Sequence, residues 1–576
     1  MFNKLQRLFH TIIWLKPVQF LARPFYAFKR KFFRIVQFSL ASRKEFSLSA
    51  RELKLRLSGI SDEFSFKVFN KTLNFNKNNL VWVDLNLDKL TRYQLNYFDF
   101  LIENKKHNAL KDNLYLILDW IEKNQNELSE TWEPYPASRR LCRWISWIEL
   151  NKSELSAFPS ETNLILKCIF NQLKRLKIDI EDHLLGNHLF ADLKALFIVS
   201  GFLLRTRFFK LTETNKRYLI SIRNYSSTRL KKEIRNQFLP DGAHEERSPV
   251  YHNLMSLDLK EILADSLLYP MKPRLLEFGK PVFEKAFLWS LSLTHPDGSP
   301  ALFGDSAFNA FPNADKIEFL FRGLSPISGL FNNNASSQIN LLKYSTNESI
   351  FHTDSGYFVF KNKNTYFALC AGEPGPPHQP GHAHCDILSY ELSVFGNRLV
   401  VDTGCGSYQN RLTRILCRST SAHNVPMIEG TEQSDAWGEF RMGKRAKVIS
   451  QKHFPDKNLF LCRFSDISNN VFERKVTYSE EAIKISDSLL QRASSGNFVS
   501  IIHLAPGWTA KIIDQDIILR LPALNSQKIV LKCCSCKIRT INSKYFPEFG
   551  DGIENQTLLL SADDKSGIIE YSFELK

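Results

Sequence analysis

The sequence has few features that would place it in a membrane, an oxidised compartment or a nucleic-acid complex. No stretch approaches the roughly 18 consecutive apolar residues of a spanning helix, so no spanning segment is expected. The best core run is Phe197–Leu204. Early charges at Lys4 and Arg7 and apolar Ile12–Leu15 resemble the start of an export signal. Lys16 and Pro17 then interrupt before its core can form. No signal peptide is therefore expected. The expected location is the cytoplasm or the inner face of a membrane, with the periplasm as the alternative.

Cysteine is sparse, ten in 576 residues and scattered, which excludes a disulfide framework. The one cluster, Cys533-Cys534-Ser535-Cys536, sits in Lys528–Ile541, where apolar and polar residues roughly alternate. No second Cys/His pair lies nearby to complete four metal ligands, so a strand with incidental thiols is expected. There is no repeat of the 34- or 40-residue kind (about the length of a helical-repeat unit). RNA-module, zinc-finger and helicase signatures are also absent, and no nucleic-acid partner is expected.

What is present is positive charge, and its position matters more than its sum. The chain carries 76 Lys+Arg against 60 Asp+Glu, a formal +16. Residues 1–50 hold ten of those cations and one acid, Glu45, which makes that segment +9. Phe, Trp and Arg/Lys interleave across residues 11–38. Such a basic aromatic segment suits the surface of an anionic membrane. The competing reading is an arm packed on the body with its charges in water.

Periodicity divides the remainder. Ile165, Ile169, Leu173 and Leu176 recur at helical spacing, as do Leu189, Leu193, Leu196 and Phe197. Similar stripes fill much of residues 90–325. The polar stretch Asn332–Ser337 reads as a linker. Beyond about residue 345 the pattern changes to short strands with turn signals. Gly356–Phe360 and Thr365–Ala371 flank Lys361–Asn364, and Leu388–Val394 and Arg398–Asp402 flank Phe395-Gly396-Asn397. The expected organisation is a basic arm (1–48), an α-helical domain (49–331) and an antiparallel β domain (345–576).

Histidine carries most of the chemical information. His382, His384 and His423 fall within 42 residues in polar, glycine-rich context. If Gly381–Asp386 enters a strand, His382 and His384 share a face, because the strand period is two. Two imidazoles and Asp402 make a plausible zinc site with an open position. The competing reading is that these histidines only hydrogen-bond within the sheet. A second cluster, Gly186-Asn187-His188, opens a helix, where Asn is usually a cap. A third, Asp241–His252, packs Glu245, Glu246, Tyr251 and two histidines between helices; it reads as a solvated turn or a cleft wall. Arg140 is a candidate for an anionic sugar, or else a surface Arg on a helix start.

Together these segments resemble the heparinase II/III family of polysaccharide lyases. Leu184–Lys194 resembles the family's LLGNHL helix start, and Asp241–His252 its DGxHxExSPxYH motif. Pro296–Ser306 resembles PDGxxPxFGDS. Gly381–Glu391 with Val401–Gly404 resembles GHxHxDxLSxEL…VDxG, and Arg418–Asn424 with Trp437-Gly438 resembles RSTxAHNT…WG. Order and spacing hold from about residue 130 to 445. The resemblance implies an incomplete (α/α) toroid followed by an antiparallel β-sandwich. It implies β-elimination at a uronic acid in an acidic glycan; with no export signal expected, an envelope or exopolysaccharide pathway is the expected setting. Asn187 is then the group meeting the uronate carboxylate, Tyr251 the Brønsted residue and His382 its partner. His188, Glu246 and Arg140 are the expected substrate contacts. His384, Asp402 and His423 would hold a structural divalent metal, for which ligand softness favours zinc over calcium. No organic cofactor is expected. Two other functions fit the same scaffold: a glycan hydrolase, and a non-catalytic glycan-binding or scaffolding protein tethered by the basic arm.

Overall fold

The computed structural model describes residues 2–35, 40–103, 109–124, 129–269, 274–311, 347–513, 516–524, 529–534, 536–562 and 567–575. The expected linker at Asn332–Ser337 lies outside them. The chain forms two compact units. One comprises Lys16–Arg235 and Asp258–Lys280; the other comprises Met1–Leu15, Asn236–Leu257 and Pro281–Lys576.

The first unit is helical. Its core is aromatic: Trp120, Trp144 and Trp147 are fully buried, and Phe98 meets Trp120 and Trp144 edge-on. Buried charge is paired. Arg139 Nη1 donates to Asp258 Oδ1 at 2.9 Å, and Lys194 reaches the same carboxylate. A short antiparallel hairpin, Glu63–Val68 with Lys71–Asn76, is added to the helices. The helix Gly186–Arg205 is long and apolar enough to cross a membrane by composition, but most of it is buried in the protein.

The second unit is mainly antiparallel sheet. A five-stranded sheet runs Glu348–His352, Tyr357–Lys361, Thr365–Cys370, Tyr390–Val394, Asn397–Val400. Both expected hairpins are present in it: Phe360 pairs with Phe367 across one turn, and Val394 with Asn397 across the other. An eight-stranded sheet and a four-stranded sheet complete the layers. Phe358 and Phe367 of the first sheet, Phe460 and Phe573 of the second and Ile502 and Leu558 of the third share one core. The cysteine cluster divides between two strands, Ile529–Cys534 and Cys536–Tyr545.

This unit also takes in segments that a linear reading assigns to the helical domain. Ala243, Trp289, Leu293, Ala301 and Phe303 form a core with Tyr357, Val359, Tyr366 and Ala368. The cause is burial: the alternate face of the five-stranded sheet is apolar and needs a cover. The cover comes from residues 236–257 and 281–311, so the Asp241–His252 motif belongs to the β unit and not to the helical one.

Candidate active site

Within the β unit, three segments far apart in sequence converge. Tyr251 lies in the first turn of the helix Pro249–Leu268, and His382 in a loop. Their rings stack with centroids 3.9 Å apart and planes 21° from parallel. Glu246 binds His382 Nδ1. The Glu246 side chain is buried, whereas the imidazole remains partly exposed. The Tyr251 hydroxyl shares a 2.9 Å hydrogen bond with the Tyr408 hydroxyl. Burial raises the Tyr408 phenol well above its ordinary range, and the neighbouring Tyr251 adds to the effect. Tyr408 thus keeps its proton.

Behind this group is a buried ion network. Asp305 receives Arg414 Nη2 at 2.9 Å and His384 Nε2 at 2.8 Å, and Arg414 Nη2 also donates to the Gly381 carbonyl at 2.9 Å. Burial opposes the charge on Asp305, but Arg414 beside it outweighs that and holds the carboxyl well below the usual range. Arg414 therefore fixes the backbone at Gly381, directly before His382. Asp305, Tyr408 and Arg414 were not singled out from sequence. Asp305 lies inside the FGDS segment. Its pairing with Arg414, 109 residues later, is purely tertiary.

The expectation that His382 and His384 share a strand face is corrected. Residues 381–389 form turns and loop, so strand alternation does not apply. The two rings part: His382 goes to Glu246 and Tyr251, and His384 goes to Asp305.

His384 instead meets His423, with ring centroids 5.3 Å apart. His423 Nδ1 contacts Asp402 Oδ2 at 2.9 Å, and Ser389 Oγ donates to the same oxygen at 2.8 Å. A neutral imidazole facing a carboxylate presents its N–H there, which leaves a lone pair on the opposite nitrogen. Those opposite nitrogens, His384 Nδ1 and His423 Nε2, are buried and have no hydrogen-bond partner among the described residues. Burial lowers His384 to about 4 and so keeps it neutral. Burial also opposes the charge on His423, but Asp402 outweighs it and raises that group. His384 Nδ1 and His423 Nε2 are suitable donors for a divalent metal once His423 gives up its proton, whereas Asp402 stands at Nδ1, across the His423 ring from Nε2. A different cluster, Asp305, His384 and Cys405, brings ligand atoms within 4.8 Å of one another. There Arg414 already neutralises Asp305, and burial raises the Cys405 thiol well above its ordinary range. That cluster is an ion pair with a neutral thiol. Gly404 helps place Asp402: its φ is +79°, and a Cβ there would lie 2.3 Å from the Phe546 carbonyl.

The helical unit holds the remaining candidates. The helix starts at Gly186 with Leu185 as its cap residue, so Asn187 is not the cap; its side chain is buried in the first turn. His188 is half-buried, stacks on Tyr135 at 4.4 Å and meets Glu181 at 2.9 Å. Arg140 is corrected on both readings. It is neither a surface residue nor open to a sugar, because its guanidinium is fully buried over Trp120. It donates to Gln172 Oε1 at 2.9 and 2.7 Å and to the Thr131 carbonyl at 2.9 Å. The reason is packing: the helix face that carries Arg140 turns into the tryptophan core, where the Trp120 ring and the bonds to Gln172 and Thr131 hold the charge.

The chain belongs to the heparinase II/III family: residues 24–316 match its "Heparinase II/III N-terminus" model, and residues 345–574 match "Heparinase II/III-like, C-terminal". A crystal structure of heparinase III matches with a TM-score of 0.66 at 15% identity, covering 94% of this chain and 85% of that one. The heparan sulfate lyase HepC from Pedobacter heparinus matches at 0.60 and 16% identity, covering 91% and 82%. No curated protein sequence matches. The shared fold is the expected one, a helical toroid followed by an antiparallel β-sandwich.

Proposed function

We propose that the protein is a polysaccharide lyase acting on a uronic-acid-containing glycan by β-elimination. The observation that carries this reading is the stacked Tyr251–His382 pair with Glu246 behind the imidazole. A binding protein has no need for a phenol and an imidazole held ring to ring. The heparan sulfate specificity of the matched lyase is a property of that enzyme, and only the wider class of acidic glycan is carried over.

The chemistry follows from the residue types. Glu246 fixes His382 Nδ1, so Nε2 is the nitrogen that meets a substrate carboxylate. Donors there stabilise the charge that develops when C5 loses its proton; one such donor is worth about 3–4 kcal/mol in comparable sites. Tyr251 acts as the phenolate, its own proton lost to solvent: Oη takes the C5 proton, the C4–C5 double bond forms, and the C4–O4 bond breaks. The phenol returns its proton to O4, and no water is consumed. Tyr408, which keeps its own proton, donates to the Tyr251 oxygen and stabilises its anionic form. Asn187 and His188, in the helical unit, keep the substrate roles that their motif implies, on the strength of that motif alone. The proposal places the reaction in an envelope or exopolysaccharide pathway. A panel of uronate polysaccharides read by ultraviolet absorbance tests the reaction. The expected result is a rising signal from the unsaturated uronate; cleavage without that signal would make the protein a hydrolase, and no cleavage of any member would favour a binding role.

The metal is part of the same proposal. His384, His423 and Asp402 would hold one divalent ion, zinc by donor chemistry, with Asp402 released from His423 Nδ1 to reach it. Bound there, the ion would tie the 381–389 loop to residues 402 and 423. Asp305 would orient His384 from the far side of its ring. Elemental analysis of the purified protein is expected to find about one zinc per chain, lost in His423→Ala together with thermal stability. Absence of metal, with no loss of stability on chelation, would refute this part alone.

A further inference from the structure

The helix Phe2–Ile12 is held to the β unit by its polar side. Arg7 pairs with Asp435 at 2.7 Å, and Thr11 Oγ1 accepts from Trp437 Nε1 at 3.1 Å. The opposite side carries Leu5, Leu8, Phe9, Ile12 and, just beyond the helix, Ile13, which form one stripe at helical spacing. That stripe faces water: Leu5 is 57% exposed and Phe9 61%. A surface helix ordinarily does the reverse.

A second helix in the same unit repeats this arrangement. Arg411–Arg418 turns Arg414, Cys417 and Arg418 inward. Leu412, Ile415 and Leu416 point out, with Leu412 81% exposed. Both helices pack on the hairpin Ala436–Met442, which adds exposed Phe440. The apolar side chains therefore belong to one neighbourhood. The charge around them is basic. Within the β unit, Arg7, Arg411, Arg441, Lys444 and Arg445 stand against Asp435 and Glu439. In the helical unit, Pro17–Ile35 shows the same inversion on its own. Gln19 is buried and Tyr26 stacks on His183, while Val18, Leu21, Phe25 and Phe28 are exposed.

We propose that this face of the β unit is a docking surface for an anionic phospholipid bilayer. The apolar stripes enter the interface, and the surrounding Arg and Lys meet lipid phosphates. Charge decides between occupants. A second copy of the chain would set two basic surfaces together, whereas an anionic bilayer complements both the charge and the apolar stripes. The proposal does not depend on the reaction assigned above.

Cosedimentation of the full chain with phosphatidylglycerol/phosphatidylcholine vesicles tests it, with pure phosphatidylcholine vesicles as control. Binding is expected to the anionic vesicles, weaker in high salt and on neutral vesicles. Leu5→Asp with Phe9→Asp is expected to weaken it about tenfold or more. Leu412→Asp with Ile415→Asp, on the separate helix, should weaken it as well. These side chains are exposed, so both variants should keep the parent melting temperature and any lyase activity on soluble glycan. The proposal fails if anionic vesicles do not bind the protein, or if both double variants bind them as the parent does. It fails equally if sedimentation velocity shows a dimer that Phe9→Asp dissolves, since the stripe would then be a self-association surface.

Discussion

Tyr251→Phe is expected to lower turnover by about 10²–10⁴-fold, the range associated with losing a positioned proton-transfer group. KM should change little. The phenyl ring keeps the 3.9 Å stack on His382, so the site retains its shape and loses only the oxygen. The effect should therefore fall on kcat, as for an interaction made only in the transition state. Tyr408→Phe separates the roles of the two phenols. Its hydroxyl touches Tyr251 Oη at 2.9 Å and is the one that burial keeps protonated. Removing it should leave Tyr251 able to act, with a smaller loss. Initial rates by ultraviolet absorbance, on a glycan shown to be cleaved, measure both. If Tyr251→Phe retains full turnover, Tyr251 is not the proton-transfer residue and the site assignment fails.

Much of this architecture was legible in the sequence, because its signals are local. The hairpin around Lys361–Asn364 is a matter of strand alternation and turn residues, and its register follows from them. The helical stripes through Ile165–Leu176 and Leu189–Phe197 likewise give the elements directly. The reactive residue types were also visible, since Tyr251, Glu246 and His382 sit in dense polar segments. Where they go was less visible. Placing His382 and His384 on one face assumed a strand, and only the tertiary structure shows that residues 381–389 loop out so that each histidine meets its own carboxylate. Arg140 looked like a surface charge because it stands near a helix start. Its actual neighbours are Trp120 and Gln172, brought in from other helices. The basic arm read as amphipathic from its composition. Which side of the helix faces inward depends on Asp435 and Trp437, more than 400 residues away, and no local pattern encodes that.

Asp487→Ala is expected to destabilise the β unit by about 3–5 kcal/mol, the usual cost of leaving a buried charge without its partner. Arg474 and Asp487 face each other across adjacent strands, and both are fully buried. Nε and Nη2 each donate to the carboxylate at 2.6 Å. Burial opposes the Arg474 charge, but Asp487 more than restores it and raises the group. The pair also links layers. Ser500 Oγ, from the four-stranded sheet, donates to Asp487 at 2.6 Å, and Arg474 Nη1 donates to the Asn424 carbonyl at 2.6 Å. Asn424 follows His423 and donates in turn to the carbonyls of Tyr390 and Val401. Losing Asp487 thus leaves a buried guanidinium uncompensated and loosens the segment that positions His423. The double variant Arg474→Met with Asp487→Leu removes both charges together and should recover most of the loss, because burying apolar groups of similar size avoids the desolvation cost. Urea unfolding of the two variants beside the parent separates the cases. If Asp487→Ala costs under about 1 kcal/mol, the size of a surface pair, the bridge does not hold the layers together.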